Sequence, residues 1–167
     1  VFLFVVEVGA VLLVIWLAAI TEFFRPGRSL IVVDFGTATT FDVISVDGRY
    51  VGGIICPGVD ISADALFRRA ARLPLVDVRR PDHVIGTSTV GSMRSGLYFG
   101  YVAMVEGLVA RVRAELDADR PAVTVATGGL AGTIASETGA IDHVSPNLTL
   151  HGLYLVWRRN FLTGREP

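Results

Sequence analysis

Ile31-Val32-Val33-Asp34-Phe35-Gly36-Thr37-Ala38-Thr39-Thr40 is the stretch on which the fold turns. Three β-branched apolar residues run into one carboxylate, then a glycine, then threonines at 37, 39 and 40. An apolar run of this kind predicts a buried strand. A carboxylate closing it sits at the edge of the core, where it can hold a cation or a cation-bound phosphate. Gly36 allows a sharp turn and close approach of a ligand to the backbone. Threonine hydroxyls and turn N–H groups can then donate to phosphate oxygens. An ordinary strand with a polar hairpin turn would look the same over these ten positions, so the flanking segments must decide.

Upstream, Phe2 to Ile20 carries one charge, Glu7, and one glycine, Gly9. A run of about 20 apolar residues can span a bilayer. No basic residue precedes it, and Arg25 and Arg28 follow it, an arrangement that would leave the rest of the chain in the cytoplasm. The other reading is a helix buried on nearly all sides by protein. Arg25-Pro26-Gly27-Arg28-Ser29 ends the segment as a loop.

The 167 residues suffice for one domain with a core. A net charge of −1 and a pI near 6.3 give nucleic-acid binding no electrostatic support. The single cysteine, Cys56, excludes an internal disulfide and points to a reducing, cytoplasmic compartment. The mean hydropathy of +0.55 is high, and the first twenty residues supply much of the excess.

Downstream, Phe41–Val46 and Arg49–Ile55 flank Asp47-Gly48, which predicts a type I′ hairpin and three antiparallel strands with Ile31–Phe35. Cys56-Pro57-Gly58 breaks the third strand. A helix is expected from Asp60, as N-cap, to about Arg72, with Ile61, Ala65 and Leu66 on its apolar face. The longest helix is expected over Val90–Leu116, capped by Ser88 or Thr89. Along it Gly96, Gly100, Ala103 and Gly107 form one stripe of small residues, beside Leu97, Tyr101, Met104, Leu108 and Val112. Each interior glycine costs roughly 1 kcal/mol, so the stripe predicts close approach of another helix, including a two-fold subunit contact. Ala122–Thr127 reads as a second buried strand, running into Gly128-Gly129-Leu130-Ala131 and a helix, a turn with room for a nucleotide. Ile141–Val144 reads as an edge strand with a structural His143, and Leu148–Phe161 as a closing helix.

The set Val33-Asp34-Phe35-Gly36-Thr37-Ala38-Thr39-Thr40, Gly52-Gly53-Ile54-Ile55-Cys56-Pro57-Gly58, Ile85-Gly86 with Thr89-Val90, Ser95-Gly96, Ala126-Thr127-Gly128-Gly129-Leu130-Ala131 and Asp142-His143 resembles the type III pantothenate kinases over about Ser29–Asn160. The resemblance implies an α/β, ribonuclease-H-like half of the actin-like ATPase fold, a mixed sheet flanked by helices, preceded by an apolar N-terminal helix. It divides the chain into residues 1–28 and a C-terminal domain, 29–167. It implies transfer of phosphate from ATP to pantothenate in coenzyme A biosynthesis, with magnesium and a monovalent cation, potassium or ammonium, in a cytoplasmic homodimer. By resemblance Asp34 would hold the cation, Thr37 ATP phosphate, Gly128 and Gly129 the adenosine, and Gly9, Ala10 and Thr89 pantothenate.

Two departures accompany it. The family's first half, with its own phosphate loop, has no counterpart here. In the family's Gly-x-Asp-Arg motif, Val11 and Leu12 stand where the general-base aspartate and the carboxylate-holding arginine belong. Little kinase turnover is therefore expected. The alternative is a non-catalytic nucleotide-binding or dimerisation module, attached to a membrane through its N-terminal segment; a diverged family helix fits that segment better than an added anchor.

Overall fold

The computed structural model describes residues 14–70, 73–116 and 121–161. Helix α1 spans 14–23 of the described residues. It is followed by β1 (Leu30–Phe35), β2 (Ala38–Ile44), β3 (Tyr50–Pro57), α2 (Val59–Arg69), α3 (Thr89–Glu115), β4 (Val123–Gly128), α4 (Ala131–Ala135), β5 (His143–Val144) and α5 (Leu148–Phe161). The five strands form one mixed sheet in the order β3-β2-β1-β4-β5. β1, β2 and β3 pair antiparallel, whereas β4 runs parallel to β1 and β5 parallel to β4.

Strand alternation sends the central residues to two opposite cores. Ile31, Val33 and Phe35 join Phe41, Val43 and Ala126 against Met93, Leu97, Tyr98, Val105 and Val109 of α3. Leu30 and Val32 join Ile44 and Val125 against Ile15, Ala18 and Ala19 of α1 and Leu148 of α5. A strand covered on both faces needs apolar residues at successive positions, which is why β1 is a continuous run. Arg113 fastens α3 to the parallel strands, its guanidinium donating to the Ala122 carbonyl (3.1 Å) and to Asp142 Oδ2 (3.0 Å).

Several expectations change in the fold. The β2–β3 turn is not the two-residue Asp47-Gly48 type: Gly48 N–H donates to Ser45 O (2.9 Å), with Gly48 at φ 77°, and Ser45 N–H to Arg49 O (2.8 Å). A left-handed glycine after the i+2 position favours this longer turn. The N-cap of α2 is Gly58, not Asp60, and α2 ends at Arg69. Its buried residues are Val59 and Ala63, while Ile61, Ala65 and Leu66 face outward. The apolar residues of α2 surround its axis, so the tertiary neighbours select the buried side.

Helix α1 packs into the second core, and no helix among the described residues is long and apolar enough to cross a membrane. Residues 1–13 lie outside the described residues, and Gly9, Ala10 and Val11 with them. His143 stacks on Phe23 with ring centroids 5.5 Å apart.

Asp42 is 5% exposed on the sheet face that carries Asp34. Its carboxylate accepts from the Tyr50 hydroxyl (3.2 Å). Burial pushes the Asp42 carboxyl up from 3.8, against the Tyr50 hydrogen bond, and the nearby Asp34 charge adds to the rise. With the folded value above the unfolded one, the stability gained from the proton is complete below 3.8 and disappears as pH rises through the folded value. At neutral pH the ionised Asp42 therefore opposes folding. Asp42→Asn keeps a partner for Tyr50 and should raise the unfolding midpoint at neutral pH. The gain should shrink towards zero as the pH approaches 3.8, measured by thermal denaturation across pH.

Candidate functional site

The carboxyl ends of β1 and β4 lie side by side because the two strands are parallel and in register, Asp34 beside Thr127 and Phe35 beside Gly128. Open α/β sheets bind ligands beyond the carboxyl ends of such strands. Asp34 also pairs with Thr40 across the antiparallel ladder, so Thr40, Asp34 and Thr127 form one row. Asp34 is half-buried, and desolvation raises its carboxyl above 3.8. A desolvated carboxylate gains from a nearby positive charge.

Gly128 fixes the other wall. Its φ is +91°, and a Cβ there would lie 2.7 Å from Asp34 Oδ1 and 2.5 Å from Phe35 O. The backbone entering the Gly-Gly turn is thus laid directly on the carboxylate. Gly129 donates its N–H to Phe35 O (3.2 Å), and its own Cβ position meets open space.

The turn after β1 is held from two sides. Gly36 N–H donates to Ala38 O (3.1 Å), and Gly58 N–H to Thr37 O (3.1 Å). A Cβ on Gly58 would lie 2.7 Å from Gly36 O and overlap the Thr37 carbonyl oxygen. Thr37 itself is exposed. Asp34, Gly36, Thr37 and Gly128 are therefore one constellation: a partly desolvated carboxylate, a hydroxyl and bare backbone.

Thr89 lies at the start of α3. Ser88 caps α3 by accepting from Gly91 N–H (3.1 Å), and the exposed Thr89 begins the helix. Thr87, Ser88 and Thr89 border an open groove of about 880 Å³ with Leu66, Leu73 and Leu97. None of Asp34, Thr37 or Gly128 lines it. The loop before α3 is clamped onto the helix. Ser92 Oγ donates to Gly86 O (3.2 Å), Ser95 Oγ to the Val84 carbonyl, and Gly86 is packed on the first turn of α3 so tightly that no Cβ fits.

The small stripe of α3 faces outward. Gly96, Gly100 and Ala103 are exposed, and nothing lies within 4 Å of a Cβ built on Gly96, Gly100 or Gly107. No intrachain helix among the described residues occupies it. From the sequence, Pro57-Gly58 read as a strand break and as part of the set that carries the resemblance, and Tyr101 as one residue of an apolar stripe on the packing face of the long helix. The packing of Gly58 on Thr37 is the feature that reading missed.

A family model described as type III pantothenate kinase matches residues 5–111. The type III pantothenate kinase of Acidiphilium cryptum is 56% identical over 134 residues, 80% of this chain and 50% of the relative. That of Myxococcus xanthus is 52% identical over 154 residues, 92% of this chain and 58% of the relative. The chain thus spans about half the length of the curated relatives it matches. Two solved structures share its fold: an archaeal actin homologue, Ta0583 (TM-score 0.52, 16% identity, 90% of this chain and 55% of the other), and the activator of the 2-hydroxyisocaproyl-CoA dehydratase from Clostridium difficile, solved with ADPNP (TM-score 0.53, 14% identity, 94% of this chain and 70% of the other). The sheet and its flanking helices are therefore those of the actin-like ATPase fold.

Proposed function

Because the chain belongs to the type III pantothenate kinase family, we propose that it carries part of the machinery for ATP-dependent phosphorylation of pantothenate in coenzyme A biosynthesis. The observation that carries this reading is the Gly128 backbone pressed onto Asp34 beside the Thr37 turn. In it Asp34 holds a monovalent cation, potassium or ammonium, against the nucleotide phosphates. Thr37 donates to a phosphate oxygen, and Gly128 and Gly129 leave space for adenosine. Magnesium, when bound with ATP, neutralises charge on the transferring phosphoryl group, and catalysis of this kind is mainly positioning and charge neutralisation. Thr89, with Gly9 and Ala10, contacts pantothenate. Thr89 borders the open groove at the start of α3, which Asp34 does not line. The open stripe Gly96-Gly100-Ala103-Gly107 supports a homodimer, and the lone Cys56 a cytoplasmic location.

Val11 and Leu12 favour a second reading. Valine accepts no proton and leucine pairs no carboxylate, and loss of a general base lowers rate on the order of a hundred- to ten-thousand-fold. The chain by itself would then be a nucleotide-binding module. Isothermal titration of the whole chain with ATP, magnesium and potassium should give a heat of binding that Asp34→Ala removes. A coupled ADP-release assay with pantothenate should show little turnover. Absence of nucleotide binding would overturn the site assignment; robust turnover would overturn the expected loss of catalysis.

A further inference from the structure

Tyr101 sits in α3 with its ring in the main core. Its hydroxyl donates to the carbonyl of Pro57 (2.7 Å). With its one proton committed there, the same oxygen accepts from the Ser62 hydroxyl (2.7 Å). Burial raises the Tyr101 hydroxyl above its ordinary 10.0, so it stays a donor at neutral pH. Pro57 is the last residue of β3, paired with Ala38 at the far side of the Gly36-Thr37 turn. The next residue, Gly58, donates to Thr37 O and leaves no space for a Cβ against that turn. Contacts thus run without a gap from α3 through Pro57 and Gly58 to Thr37.

We propose that Tyr101 is a positioning residue for the Gly36-Thr37 turn: by anchoring the Pro57 carbonyl it holds Gly58 against Thr37 and sets the affinity for nucleotide phosphate without touching it. A buried phenol needing only a partner could be satisfied by Ser62. Instead its proton goes to the main chain one residue before the contact with Thr37, and this distinguishes positioning from simple core satisfaction. The inference rests on the reading of Thr37 as a phosphate contact.

The test uses the whole chain with Tyr101→Phe, which keeps the ring, and Ser62→Ala, which leaves the bond to Pro57. Amide hydrogen exchange and ATP titration with magnesium and potassium are measured on both. Tyr101→Phe should speed exchange at the Gly36 and Gly58 amides while β1 and β4 keep their protection, and should weaken ATP binding by roughly threefold to tenfold, the worth of one net hydrogen bond. Ser62→Ala should leave both close to the parent chain. Unchanged exchange at Gly36 and Gly58, or a uniform increase that includes β1 and β4, would overturn the proposal. So would an unaltered ATP affinity in a parent chain that binds ATP. If the parent binds no ATP, the nucleotide reading fails. Localised exchange would then still assign Tyr101 control of the turn, and its absence would remove that as well.

Discussion

Gly128→Ala is expected to destabilise the fold by about 2–6 kcal/mol and to abolish measurable ATP binding. Two causes add. An L residue at a φ of +91° is strained, which costs of order 1–3 kcal/mol. The new methyl would also lie 2.7 Å from Asp34 Oδ1 and 2.5 Å from Phe35 O; the carboxylate can swing aside, but the Phe35 carbonyl cannot retreat without pulling β1 from β4. Overpacking of this kind typically costs another 1–3 kcal/mol. The displaced atom is the carboxylate assigned to the cation, so binding should fall further than stability does. Gly129→Ala is the matched control: its Cβ meets open space, and the fold should tolerate it. Thermal unfolding of both variants, with ATP titration, separates the effects. A Gly128→Ala chain that keeps its midpoint and its affinity would show that β4 does not press on Asp34.

The second large effect is expected at Gly152. This residue is buried in α5, where a Cβ would overlap the Val14 carbonyl oxygen and lie 2.7 Å from Val14 Cγ1. Helices α1 and α5 approach so closely here that only glycine fits. Gly152→Ala should force them apart and open the second core around Ile15, Ala18, Ala19 and Leu148. Such overpacking costs about 1–3 kcal/mol, or roughly 2–12 °C in the unfolding midpoint for a chain of this length. Gly100→Ala gives the opposite sign in an isolated chain. It adds a methyl to open space and removes an interior helical glycine, a gain of about 0.5–1 kcal/mol. If two copies meet through the α3 stripe, that gain should be replaced by loss of the dimer, seen in sedimentation.

Much of the fold was legible where one local rule governs. β1 was readable because both its faces are covered, so its sequence is apolar without interruption. α5 runs over the expected Leu148–Phe161, and α3 over Thr89–Glu115 against an expected Val90–Leu116. The resemblance put Asp34 and the Gly-Gly turn at one nucleotide site, and their adjacency in the fold follows from β1 and β4 being parallel and in register. What failed depended on neighbours. Ile61, Ala65 and Leu66 have helical spacing, yet α2 touches the core through Val59 and Ala63. The hairpin residues Asp47-Gly48 suit two turn lengths, and the register of Ile44 with Tyr50 selects the longer.

By itself, the sequence determined which segments must leave water and which carboxylate and hydroxyls close the first strand. Those follow from side-chain chemistry and local backbone freedom. Only the tertiary structure decided that the apolar residues of α1 are covered by sheet and α5, that Thr89 borders a groove Asp34 does not line, and that Tyr101 reaches Thr37 through Pro57 and Gly58. Composition states how much surface must be buried; which surface covers it is set by contacts between residues far apart in the chain.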